Sequence, residues 1–363
     1  MKIKIIDRAK LTGTLLCMPM LGAVLIFQSE RVAQGLRDGI RLCMDTVIPS
    51  LFAFMVFCEL LSRADGRALR LLFMPFRWLA RLYGLPEVTA PALCLGVIGG
   101  YPIGARMAAA MKKEGKITAA DAERLLCAAY GCSPSFLAGI GALVFGSAKA
   151  GLILWGCQLG AIVPVGLILC RRGRRRETEH KDTPSAPQPF SERFVDSVMS
   201  ATRGMGVICG FVLAFSVVSA LLGALPGDVG RWISALCEVS VGCSMAAGMG
   251  FLQAMLMVAG CCSLGGVSVW MQNACFLRGS GVSMRAFYLA RMVHLPFSLL
   301  LSLLAERVFR LSEMGSSAVF SSFAQASPSV SAGSGVSSVF LVICCLLLLI
   351  GGRGMCYNIP VQT

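Results

Sequence analysis

The stretch Gly96-Val97-Ile98-Gly99-Gly100-Tyr101-Pro102-Ile103-Gly104-Ala105-Arg106 packs four glycines and a proline into eleven residues. Such a run predicts a break in helical structure with free backbone N–H groups, followed by a new helix start at Pro102, where proline is well tolerated. A helix N-terminus of this kind attracts anions. Arg106, one turn inside, adds positive charge, and an arginine within a membrane segment is a functional signal by default. Gly99, Gly100, Tyr101, Pro102 and Arg106 therefore form the first candidate binding set for a small anionic solute. The same glycines equally suit close helix packing.

Three further groups could do chemistry. Ser133, Pro134 and Ser135 interrupt an apolar run, and their hydroxyls either meet a ligand or satisfy a proline kink locally. Gly265 and Gly266, followed by Ser268, Gln272 and Asn273, place polar groups in a second glycine-rich apolar stretch, as binding groups or as interhelical glue. Arg291 and His294 lie three apart and so share one helix face, as a possible charge partner or proton relay. No His/Asp/Glu cluster suited to catalysis accompanies them, and the chain has only two histidines, so no enzyme is expected. The cysteines lie mostly in apolar runs, where they behave as small hydrophobes, and lack zinc-site spacing. No metal or cofactor is expected.

The elements that must position these residues belong in a bilayer. Hydrophobic residues make up 56% of the chain and charged ones 14%, against about 25% charged in a soluble domain. The +14 formal charge gathers at segment ends and in short loops, above all Arg171–Arg176, as the positive-inside rule expects. No basic face interleaved with aromatics points to nucleic acid. Continuous span candidates are Leu11–Phe27, Val47–Leu61, Leu152–Cys170, Met205–Leu225 and Ser337–Gly351; a span needs about 20 residues. Pro91–Met111, Leu125–Phe145, Met249–Leu277 and Met284–Leu304 are apolar but interrupted. Broken backbone at membrane depth is tolerated only where it lines a cavity or is buried in protein. Leu69–Tyr83 reads as an interfacial helix and Arg31–Asp45 as an interfacial or solvated one. Glu59 is expected at its span's cytoplasmic end, snorkelling or paired with Arg63.

The chain also repeats. Gly99-Gly100 and Gly265-Gly266, and the loop glycines Gly115 and Gly281, align at one offset of 166 residues. Thr118 and Ser283 follow as N-cap candidates, the first with Asp121 placed for a capping box. With the N-terminus in the cytoplasm and the Arg171 linker cytoplasmic, the span opening the first repeat points inward and that opening the second points outward. The expected fold is an all-α polytopic membrane protein of two inverted-topology repeats, with re-entrant glycine-rich helical hairpins and discontinuous helices. That construction recurs in secondary transporters. Its parts are an N-terminal transmembrane helix (1–30), a first repeat (31–170), a basic cytoplasmic linker (171–194), a second repeat (195–311), a Ser/Gly/Ala-rich loop (312–336) and a C-terminal transmembrane helix and tail (337–363).

GGYPIGARMAAAMKKEGKITAADAERLL (99–126), GCSPSFLAGIGALVFGS (131–147) and SLGGVSVWMQNACFLRGSGVSMRAFYLARMVH (263–294) resemble the sporulation integral membrane proteins of the YlbJ type, which carry nucleoside-recognition (Gate) domains. The resemblance runs from about Arg31 to Leu304. Family members more often carry an asparagine near the Ser-Pro break, where this chain has Tyr130, Gly131 and Cys132. The resemblance implies a multi-pass protein that moves dipicolinic acid across the outer forespore membrane, with other sporulation membrane proteins, or copies of itself, as partners. A nucleoside or other metabolite transporter, and a non-transporting scaffold or sensor, remain alternatives.

Overall fold

The structure, a computed structural model, describes residues 19, 22–62, 73–170, 189–223, 225 and 229–314. Every regular element among the described residues is helical. In the first half α1 (Ser29–Leu42) passes through a π-helical turn (Cys43–Val47) into α2 (Ile48–Ser62). Next come α3 (Met74–Leu82), α4 (Ala90–Ile98), α5 (Tyr101–Lys113), α6 (Ala119–Ala128), α7 (Pro134–Phe145) and α8 (Ala148–Val165, continuing as a π-helix to Cys170). The second half holds α9 (Phe190–Leu222), α10 (Val229–Cys237), α11 (Val239–Ser244), α12 (Phe251–Leu264), α13 (Gly266–Leu277) and α14 (Arg285–Phe309).

Ala148–Cys170, Phe190–Leu222, Phe251–Leu277 and Arg285–Phe309 are long and apolar enough to cross a membrane. Their packing explains why so apolar a surface is stable only in lipid. On α14 the buried face carries Arg291, His294, Ser298 and Ser302, while Leu289, Met292, Leu300, Leu304 and Val308 face outward. A soluble helix does the reverse. The protein is an integral membrane protein.

Local sequence accounts for many element ends. Thr118 accepts the Asp121 N–H at 3.1 Å and its own N–H reaches the Asp121 carboxylate at 3.2 Å, completing the expected capping box of α6. Gly115 and Gly281, the matched loop glycines, both adopt positive φ, at 72° and 73°. α5 begins where Pro102 predicts, after Gly100 at φ 96°.

Several expectations change. Met284–Leu304 is not interrupted: α14 runs through Pro296, which removes only one ladder N–H from a helix braced by α8 and α12. Ser283 lies one residue before the N-cap of α14, which is Met284; its hydroxyl accepts the Arg285 N–H at 3.3 Å and its own N–H donates to Glu123 Oε1 at 3.0 Å. Arg31–Asp45 is an amphipathic stretch of α1 and its π turn, with Arg31, Gln34, Arg37, Asp38 and Arg41 exposed and Gly35, Gly39 and Cys43 laid along α9. Gly35 permits this, since a Cβ there would lie 2.8 Å from the Ser216 carbonyl. Contacts run in opposite order along the two helices: Gly35 against Ser216–Ala220, Gly39 against Leu213 and Ser216, Cys43 against Cys209. The helices are therefore antiparallel, and Cys43 and Cys209 are 166 residues apart.

α3 is amphipathic, with Met74 and Trp78 outward, Ala80 buried, and Arg77 and Arg81 both bonded to Glu87. Most of Leu11–Phe27, the linker's residues 171–188, Arg63 and Ser337–Gly351 lie outside the described residues. Of the expected span Met205–Leu225, the part up to Leu222 is the far end of α9, which begins much earlier, at Phe190.

Candidate functional site

Three helix breaks meet inside the protein. α4 gives way to α5 at Gly99–Gly100, α6 to α7 across Ala129–Ser133, and α12 to α13 at Gly265. Gly100, Gly265 and Gly266 all have positive φ, at 96°, 80° and 75°. Glycine is required there, because a side chain in that region is strained. The breaks touch each other. A Cβ on Gly100 would lie 3.8 Å from Ser133, which caps α7 by accepting the Phe136 N–H at 3.2 Å. Ser135 Oγ lies 3.1 Å from Ser133 Oγ, so the Ser-Pro-Ser hydroxyls serve each other and the cap. Gly104 lets α5 reach the Ala129 carbonyl, which a Cβ would approach to 1.7 Å.

A broken helix leaves carbonyls without intrahelical donors. Four aromatic side chains supply them. Tyr101 Oη donates to Cys262 O at 2.9 Å, Trp155 Nε1 to Cys132 O at 3.1 Å, Trp270 Nε1 to Leu264 O at 2.7 Å, and Tyr130 Oη to the same Leu264 O at 3.2 Å. Tyr101 is thus a buried strut between the first and last breaks. Sequence reasoning missed Trp155, Trp270 and Tyr130. The available signal was an indole or phenol donor inside an apolar run, which must find an acceptor when buried.

Tyr130 joins the breaks to Arg291. The Arg291 side chain is fully buried (0% exposed), its guanidinium carbon 4.1 Å from the Tyr130 ring centroid and 5.4 Å from that of Phe287. Tyr130 also packs on Tyr101 at 4.9 Å between centroids, and Gly265 leaves room for its hydroxyl, which a Cβ would approach to 1.8 Å. Arg291 Nη2 donates to Cys127 O at 2.8 Å, whereas Nε and Nη1 find no partner among the described residues.

His294, one turn on, belongs to a separate network. Its Nε2 faces the Gln158 carbonyl at 3.0 Å and its Nδ1 the Ser263 hydroxyl at 2.6 Å. A carbonyl only accepts, so Nε2 carries the proton and Nδ1 accepts from Ser263, a tautomer assigned from the bonding pattern. Gln158 Nε2 continues to Ser298 Oγ at 2.7 Å and Ala259 O at 3.1 Å, stitching α8, α12 and α14 together.

Arg106 lies apart from the breaks. Its Nη2 pairs with Glu59 Oε1 at 2.9 Å and donates to Ser200 Oγ at 2.7 Å. Glu59 therefore meets Arg106, a partner far away in sequence. With Asp196, Ser200, Arg203 and Phe276, Arg106 lines a cavity of about 540 Å³ beside α9. On α13, Gln272 Nε2 donates to Ser268 Oγ at 3.3 Å, and the buried Asn273 amide finds no partner among the described residues. The structure thus brings Gly100, Tyr101, Ser133 and Gly265 together with Arg291, and sets Arg106 on a separate, mixed-charge cavity.

No family model matches the chain, and no solved structure matches it. Among curated proteins it is 23% identical over 316 residues to the sporulation integral membrane protein YlbJ of Bacillus subtilis (strain 168), covering 75% of this chain and 77% of the relative.

Proposed function

We infer that the chain is a member of the YlbJ family, from 23% identity over three quarters of its length, and propose that it is a membrane transporter of a small anionic metabolite used in sporulation. The observation that carries the proposal is the pair of matched breaks at Gly99–Gly100 and Gly265, tied to each other by the Tyr101–Cys262 bond of 2.9 Å. Two broken helices facing each other within an apolar protein are a costly arrangement, and transporters use them to expose backbone to a solute. The antiparallel packing of α1–α2 on α9 supports an inverted relation between the halves. On this reading α4–α5 and α12–α13 are the two re-entrant hairpins.

The family resemblance supplies the candidate solute, dipicolinate, and the outer forespore membrane as the place. The mixed-charge cavity beside Arg106 serves as an aqueous vestibule. Flux of labelled dipicolinate into vesicles holding the full chain, with and without an imposed pH gradient, tests the reading. Saturable uptake inhibited by unlabelled dipicolinate and not by nucleosides supports it. Uptake inhibited only by nucleosides replaces the solute, and absence of any flux favours a scaffold or sensor.

A further inference from the structure

Arg291 is a charge that nothing described neutralises. Burying an ion costs several kcal/mol even after relaxation, unless a partner of opposite charge offsets it. Here the offsets are one carbonyl, Cys127 O at 2.8 Å, and the faces of Tyr130 and Phe287. A cation over a desolvated ring gains roughly 2 kcal/mol, less than a carboxylate would give. No carboxylate contacts the guanidinium among the described residues, and Nε and Nη1 are left without acceptors. Nε and Nη1 flank Nη2 on opposite edges of the planar guanidinium; Cys127 O takes one Nη2 hydrogen, so the other Nη2 hydrogen with Nε or with Nη1 still completes a fork suited to a carboxylate or phosphate. Arg106, by contrast, already has Glu59.

Tyr130 stands between the Arg291 guanidinium and the α12–α13 break. Its ring covers the guanidinium, and its hydroxyl is held by Leu264 O at the α12–α13 break. That hold is weak by construction, because Trp270 also donates to Leu264 O and keeps the carbonyl satisfied when Tyr130 leaves. We propose that Arg291 is the counter-charge that recognises the solute's anionic group, and that Tyr130 is the cover that must swing off it for the solute to bind. The proposal rests on the transport reading and assigns its charge centre to α14 and the α6–α7 break, not to Arg106.

The test is equilibrium binding of labelled dipicolinate to the purified full chain in lipid nanodiscs, with phosphate and benzoate as competitors to identify the anionic group read. Losing a buried charge-assisted contact predicts at least about a thirtyfold weakening in Arg291→Gln, and a much smaller change in Arg106→Gln. Arg291→Lys, which keeps the charge without the fork, falls between wild type and Arg291→Gln. Tyr130→Phe removes only the bond that favours the covered state, so it should tighten binding by about two- to tenfold. A merely structural tyrosine gives no such gain. Wild-type affinity in a folded Arg291→Gln, or a larger loss in Arg106→Gln, overturns the assignment. If Arg291→Gln does not fold, unchanged affinity in both Arg291→Lys and Tyr130→Phe overturns it. Wild type that binds no anion in the set overturns the transport reading as well, whereas binding that survives Arg291→Gln leaves that reading standing.

Discussion

Replacing Gly104 by alanine probes the contact on which the meeting of the breaks depends. A Cβ there would lie 1.7 Å from the Ala129 carbonyl oxygen and 2.9 Å from its carbon. Ordinary carbon–oxygen contact is about 3.3 Å or more, so one backbone must retreat by well over an ångström. The obstacle is main chain at a helix end, not a flexible side chain, and overpacking of this kind costs about 1–3 kcal/mol. Alanine's helix propensity returns roughly 0.5–1 kcal/mol, so the net loss is up to about 2.5 kcal/mol, centred on about 1 kcal/mol. Gly210→Ala is the matched control: it too lies inside a helix, with nothing within 4 Å of the added methyl, and propensity alone acts there. Reversible unfolding in mixed micelles should show Gly104→Ala destabilised and Gly210→Ala unchanged or slightly more stable. Equal stability of the two variants refutes the claim that the glycine exists for backbone approach.

The two donors to Leu264 O make Trp270→Phe and Tyr130→Phe non-additive: each alone is cheap, and the double variant costs more than their sum by about 1–3 kcal/mol, measurable as a double-mutant cycle. Glu59 and Arg106 should also couple, so that Glu59→Gln with Arg106→Gln loses less stability than the two singles together by about 0.5–3 kcal/mol; additive losses sink the pairing. Glu238, outside the spanning helices, is buried at the α11 N-cap, and desolvation raises its pKa above the ordinary value while the Val241 N–H bond opposes the rise. The folded state therefore holds its proton longer than the unfolded chain, so stability falls as pH rises from glutamate's ordinary value through the raised one. Glu238→Gln should flatten that slope in a pH series of unfolding midpoints.

What was legible in the sequence was local. Gly99-Gly100 and Gly265 announced breaks because glycine's freedom is a property of the residue itself, and Thr118 with Asp121 announced a cap because both partners lie within one turn. The cap expected at Ser283 is displaced by one residue, to Met284, while the Ser283 hydroxyl still accepts the Arg285 N–H and Glu123 takes the Ser283 N–H from across the fold. The same limit hid Arg106 as a partner of Glu59, because the two are brought together only by the fold. Trp155, Trp270 and Tyr130 are invisible as helix plugs until the carbonyls they reach are placed, between six and 134 residues away. Pro296 misled in the other direction: proline signals a break, but a long helix held on two sides carries it as a local defect.

The reversed polarity of α14 sets what kinds of change the helix can absorb. Outward positions such as Leu289, Leu300 and Leu304 ask only for an oily side chain, so methyl and methylene groups can be traded there with little consequence. Inward positions such as Ser298 and His294 are constrained by the number and direction of their donors and acceptors, and a substitution of equal volume fails if that tally changes. In a water-soluble helix volume is the exacting quantity on the inner face; in this one it is valence.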